Sequence, residues 1–65
     1  MKDWQQRVIS EKTGVDANLE RLQDFMATSE YEKLPFDEKE RLIRQSVLMD
    51  LYSEVLGDRI ANFEN

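Results

Sequence analysis

Between about Asp37 and Phe63 the chain is apolar on more sides than a single helical partner can cover. At 100° per residue, Leu42, Ile60, Met49, Leu56, Phe63, Tyr52, Leu48 and Val55 sweep one broad arc of a helix. Ile43, Val47 and Leu51 form a second arc well away from its centre, and only Ser46, Asp50, Ser53 and Gly57 make a clearly polar strip. A helix that is apolar nearly all round is normally buried nearly all round. One other long helix cannot provide that cover, so the pattern predicts copies of the chain, or a partner, around this segment.

Upstream, from Asp3 to about Ala27, the apolar positions are Trp4, Val8, Val15, Leu19, Leu22 and Met26, with Phe25 at one edge. Spacings of four, seven and three are helical, not strand-like. Asp3 is positioned as the N-cap. Written as heptads, Val8, Val15 and Leu22 hold one seam position, and Trp4, Glu11, Asn18 and Phe25 hold the other. Glu11 and Asn18 then stand where packing would prefer Leu. Such residues either fix register, as a seam Asn does in coiled coils, or open the seam onto a polar pocket. Gly14, inside this helix, costs about 1 kcal/mol relative to Ala and marks a close approach or a soft point.

Ala27-Thr28-Ser29 breaks the pattern. Ser29 with Glu32 reads as a capping box for one short turn through Lys33. Leu34-Pro35-Phe36 ends that turn, because the residue before Pro is pushed out of the helical region. Asp37 with Glu40 is a second capping-box-like start, and the second helix runs to about Ala61 or Phe63. Gly57 leaves a notch on its polar strip. The expected fold is all-α: an antiparallel hairpin of two helices of about 25 residues, each roughly 37 Å long. A short helical turn forms the elbow. One domain spans residues 1–65, and homo-oligomerisation completes it.

Composition narrows the chemistry. Sixty-five residues give a thin core, in the range where oligomerisation, metals or disulfides supply missing stability. The chain has no Cys and no His, which removes disulfides, thiolate metal sites and the commonest metal ligand. The same absences remove most nucleophilic and acid–base catalytic arrangements. Met1-Lys2-Asp3-Trp4 opens no apolar signal region, and no stretch approaches the roughly 18 apolar residues of a membrane span. The expectation is a complete small soluble protein of the cytoplasm, with no membrane partner, metal or cofactor.

The net charge of −5 disfavours DNA or RNA polymers, which call for a basic stripe. It leaves room for a small phosphorylated ligand held by a few placed cations. Up to Thr28 there are four basic and five acidic residues; beyond it, five and nine. Much of the excess (Glu30, Glu32, Asp37, Glu38 and Glu40) falls at the elbow and the second helix's first turn, where carboxylates favour the helix dipole.

The cations that could face an anion are Arg7, Lys12, Arg21, Arg44 and Arg59. Arg44 and Arg59 fall inside the apolar arc. There they either snorkel or pair with a carboxylate, or converge on a symmetry axis where an anion must separate them. The guanidinium fork suits phosphate oxygens in the second case. Trp4 is either an anchor of the hairpin's open end, against Phe63 or Ile60, or a platform on which a base stacks for roughly 1–3 kcal/mol. Serines and threonines have no base beside them, and no Gly-rich phosphate loop or metal motif is present. Binding is favoured over catalysis.

The run Trp4-Gln5-Gln6-Arg7-Val8, then Glu11-Lys12, Leu19, Leu22 and Phe25, resembles a family of short helical phage proteins related to a crAss-like phage protein. So does the continuation Phe36, Glu40, Leu42, Gln45, Met49, Tyr52, Val55-Leu56 and Arg59-Ile60. These in turn resemble the phage anti-CBASS cyclic-oligonucleotide sponges. The resemblance implies a helical hairpin assembling into a homohexamer in the host-cell cytoplasm. There it would sequester cyclic di- and trinucleotides made by host immune cyclases. It implies that Trp4 stacks on a base, with Gln5 beside it. The family's phosphate-contacting lysine falls nearest Asn18, a departure that leaves Arg21 as the substitute. Arg59 is the match to an arginine that holds trinucleotide phosphates about a symmetry axis. Longer relatives carry an additional N-terminal segment.

A non-enzymatic nucleotide sponge is therefore the leading expectation. A structural or adaptor hairpin, whose surplus apolar surface meets another protein, is the alternative. An acidic imitator of nucleic acid is a third reading, disfavoured by basic residues interleaved throughout.

Overall fold

The computed structural model describes residues 1–64. Three helices follow in order: α1 (Asp3–Met26), α2 (Ser29–Glu32) and α3 (Phe36–Ala61). Helices α1 and α3 lie side by side as an antiparallel hairpin in a rod with principal extents of 49 × 14 × 13 Å. The all-α hairpin with a short helical elbow is the architecture expected from the hydrophobic periodicity.

The caps sit earlier than the sequence suggests, by one residue for α1 and α2 and by two for α3, where Pro35 and not Asp37 is the N-cap. Lys2, not Asp3, is the N-cap of α1, and its backbone N–H donates to Gln5 Oε1 at 2.9 Å. Asp3 is already helical and places its charge in the first turn, where the dipole favours it. At the elbow Thr28, not Ser29, caps α2: its hydroxyl accepts from Tyr31 N at 3.3 Å and donates to Phe25 O at 2.6 Å. Pro35 precedes α3, which starts at Phe36 with Asp37 and Glu38 in its first turn. Proline's fixed φ pre-sets this entry and needs no donor.

The core is a single thin seam. Val8, Leu19, Tyr31 and Leu56 are its buried apolar residues, and Leu56 is 1% exposed. On α1 the residues turned toward α3 are Gln5, Val8, Lys12, Val15, Leu19, Leu22 and Met26, all buried or half-buried. Alternating steps of three and four make this a heptad seam. It keeps Val8, Val15 and Leu22 as expected but replaces the second position. Trp4, Glu11, Asn18 and Phe25 are exposed; Gln5, Lys12, Leu19 and Met26 take their place.

The physical reason is that the polar seam residues find partners on this register. Lys12 Nζ donates to Ser53 Oγ at 2.7 Å and pairs with Asp16 Oδ2 at 3.1 Å, while the Ser53 hydroxyl donates to Asp16 Oδ1. The Lys12 stem lies across Gly57, its Cε 3.5 Å from where a Cβ would stand. Most of the polar strip of α3 is therefore turned toward α1: Ser53 is buried and Ser46 and Gly57 are half-buried, while Asp50 stays exposed at its edge. Among the described residues no buried side-chain polar atom lacks a hydrogen-bond partner.

The Ser53 hydroxyl, then the Lys12 ammonium, hold the Asp16 carboxylate below the ordinary aspartate value of 3.8. A depressed folded-state pKa means that the unfolded chain takes up this proton first as acid is added. The contribution is present above the ordinary value and is lost as pH falls through it toward the lower folded value. Melting temperatures of the parent and Asp16→Asn, followed from pH 6 to pH 2.5, should therefore converge in acid. Parallel curves would mean that the cluster adds no pH-dependent stability.

Candidate functional site

With α1 covering its Ser53 side, α3 presents the opposite side bare. Ile43, Val47, Leu48, Leu51, Tyr52 and Val55 are all exposed, Leu48 to 65% and Leu51 to 52%. On helical angles they span about half the circumference. Arg44 lies among them, with Arg41 and Arg59 along one margin. A shallow depression of about 390 Å³ lies between Arg41, Arg44, Gln45, Leu48, Met49 and Tyr52. A second involves Ile43, Arg44, Val47 and Leu48. Two guanidinium groups beside an aromatic ring and an apolar floor can hold a planar, anionic molecule.

At the open end the Trp4 ring meets Phe63 edge-on, with centroids 5.2 Å apart and planes at 81°. This is the anchoring contact that one reading of Trp4 required. The indole is nevertheless 43% exposed, so one anchored aromatic retains surface on which a base could stack. Trp4 heads an exposed line on α1 that continues through Arg7, Glu11, Gly14, Asn18, Arg21 and Phe25, again in steps of three and four. The contact of Trp4 with Phe63 on one flank, and of Lys12 with Ser53 on the other, fixes how the helices are turned. The Trp4 line therefore runs beside the Tyr52 and Arg59 margin of α3.

Four of the six residues singled out by sequence thus share one exposed line: Trp4, Arg7, Asn18 and Arg21. Asn18 accepts from Arg21 Nη2, so the candidate phosphate contact and its substitute form one amide–guanidinium pair. Arg59 is exposed in the last turn of α3, one turn from Phe63. Gln5 stands apart. It is 0% exposed; its amide Nε2 donates to Glu64 O at 3.0 Å, and its Oε1 accepts from Lys2 N. In the single hairpin Gln5 ties the two chain ends together beneath Trp4. Lys12 is likewise occupied, by Asp16 and Ser53.

Arg41, Gln45 and Tyr52, which border the larger depression, were not among the residues singled out as a site. Their signal was present in the sequence as a cation, an amide and an aromatic spaced four and seven apart, which brings them to one helix flank. Gly14 also gains a specific meaning. A Cβ built there has nothing within 4 Å, so packing inside the hairpin does not require glycine. Gly14→Ala should stabilise the isolated hairpin by about 0.5–1 kcal/mol, the ordinary helix-interior difference. Chemical denaturation checks this. A destabilised variant would mean that a second molecule approaches the α1 backbone at this point.

Among the described residues no cluster of His, Cys, Asp or Glu could hold a metal ion. Among the described residues no helix is long and apolar enough to cross a membrane. The arrangement offers aromatic, apolar and guanidinium contacts, which are means of holding a molecule.

Comparison with curated proteins and with solved structures returned no match. The family model described as Sequestin matches residues 2–62. That name denotes sequestration, which is binding rather than catalysis, and it fits a hairpin with a small core and a wide exposed apolar face. The chain belongs to the Sequestin family.

Proposed function

We propose that this protein sequesters cyclic oligonucleotide immune signals, binding di- and trinucleotides without turning them over, in a homo-oligomer that is expected to be a hexamer. The family match over residues 2–62 carries the sequestering part of this reading. The sequence resemblance to phage anti-CBASS sponges supplies the ligand class. Three features of the chain support it. Trp4 offers a half-open indole, Asn18 and Arg21 form a polar pair on the same line, and Arg59 stands at the margin of an apolar face that needs cover. Trp4 with Arg21 serves the dinucleotide, and Arg59 serves the trinucleotide. The action belongs to the host cytoplasm, where such signals would be made.

Calorimetric titration of the parent protein with cyclic di- and trinucleotides tests the reading. Saturable binding is expected, with the nucleotide recovered unchanged after the protein is denatured. Degraded nucleotide would make the protein an enzyme, and no heat with either class would overturn the proposal. In the second case the exposed face of α3 favours an adaptor hairpin whose apolar surface meets a different protein.

A further inference from the structure

The bare face of α3 has a pattern of its own. Arg44, Leu48, Leu51, Val55 and Asp58 follow one another in steps of four, three, four and three, which is a second coiled-coil seam opposite the one that α1 covers. All five are exposed. The charged ends are symmetric about Leu51: Arg44 and Asp58 lie seven residues to either side, with Leu48 three residues before it and Val55 four after it. At 1.5 Å rise per residue, Arg44 and Asp58 are each about 10 Å from Leu51 along the helix axis.

We propose that α3 packs antiparallel against α3 of a second copy of this chain, about a two-fold axis at Leu51, setting Arg44 of each copy against Asp58 of the other. An isologous interface requires self-complementarity, such that residue i meets j and j meets i. Reversal about Leu51 supplies it. Leu51 meets its own copy, Leu48 comes within one residue's rise (about 1.5 Å) of the level of the partner's Val55, and a cation meets an anion at both ends. Parallel packing in register would instead bring Arg44 beside Arg44 and Asp58 beside Asp58, and like charges across an interface are strongly disfavoured.

Within the hairpin the pair is available for this role. Lys12–Asp16, Lys39–Glu32 and Arg41–Glu38 are the ion pairs among the described residues, and neither Arg44 nor Asp58 belongs to one. A seam of Leu48, Leu51 and Val55 between two charged ends also matches the usual arrangement of an apolar interface centre and a polar rim. The proposal concerns how two copies pair and stands without any nucleotide, so it extends the oligomeric reading by fixing face, direction and register.

Cross-linking tests it on the full chain. The natural sequence has no Cys, so Leu51→Cys introduces the only thiol, placed on the two-fold. Packed helices bring facing backbones within disulfide reach. Mild oxidation should convert this variant to a covalent dimer on a non-reducing gel within minutes, while Gln23→Cys, exposed on α1, stays largely uncross-linked. Arg44→Asp and Asp58→Arg should each weaken association about tenfold or more, the scale of a lost close charge pair. The double variant, which restores opposite charges with the signs exchanged, should recover most of that loss in sedimentation equilibrium. Cross-linking of Leu51→Cys no faster than of Gln23→Cys, or a double variant no better than the singles, would overturn the pairing. Nucleotide binding with failed cross-linking sinks only this inference, and cross-linking without nucleotide binding sinks only the sequestering proposal.

Discussion

Leu56→Ala should abolish the cooperative thermal transition of the hairpin, or lower it so far that the chain is largely unfolded at 25 °C. Leu56 is 1% exposed, and among the described residues only three other apolar side chains are buried. Truncating a buried Leu to Ala costs about 2–5 kcal/mol, part transfer and part cavity. At 0.05–0.15 kcal/mol per residue, a chain of this length has about 3–10 kcal/mol in all, so the loss is comparable with the whole. Leu51→Ala is the informative comparison. In a lone hairpin, Leu51 is half in water already, and its truncation should cost less than about 1 kcal/mol. In an assembly that covers α3 it becomes a core residue and should cost nearly as much as Leu56. Denaturation at two protein concentrations, followed by circular dichroism, separates the cases. A near-parental melt for Leu56→Ala would mean that the hairpin is not held by this seam.

Local rules carried the fold. Helix type, the elbow at Ala27-Thr28-Ser29 and the stop at Pro35 follow from spacing, capping chemistry and the geometry of proline, all expressed within a few residues of the chain. The seam was harder to read because its decisive residues are polar. Gln5, Lys12 and Ser53 look like surface residues in a hydrophobicity pattern, and Trp4 and Phe25 look like core. What reverses them is a set of tertiary partners: Glu64 O for Gln5, and Asp16 with Ser53 for Lys12. A buried polar group is tolerated when its hydrogen bonds are made, and no linear pattern states where those bonds will close. Helix α3 illustrates the consequence. Its apolar excess was plain in the sequence, but the side left over is the Leu51 arc, because α1 takes the Ser53 side.

The candidate site was legible in its residue types and less so in their grouping. Trp4, Arg7, Asn18 and Arg21 share a line that is visible once steps of three and four are counted from Trp4. Arg41, Gln45 and Tyr52 form a comparable cluster on α3 that only the shape of the surface picks out. Gln5 follows Trp4 in the sequence but lies beneath it in space, with both ends of its amide engaged.

Arg59→Ala should selectively remove cyclic-trinucleotide binding and leave dinucleotide binding intact. Arg59 is exposed in the last turn of α3, where a cation also complements the helix dipole. If that were its whole role, the substitution would cost about 0.3–1 kcal/mol of stability and change no titration. Copies of Arg59 meeting about a symmetry axis would repel one another, and a trinucleotide's phosphates would be the counter-charge that makes the arrangement favourable. Each charge-assisted contact is worth roughly 1.5–3 kcal/mol, and about 1.4 kcal/mol is tenfold in affinity. Losing several symmetry-related contacts at once should therefore push trinucleotide binding out of the measurable range. Trp4→Ala is the converse: dinucleotide affinity should fall, with the oligomer size by light scattering unchanged, because Phe63 loses one edge contact while the seam beneath remains. Equal loss of both ligands in Arg59→Ala would point to a damaged fold. If neither ligand were lost, Arg59 would be an ordinary surface cation, and the trinucleotide half of the proposed function would fall with it.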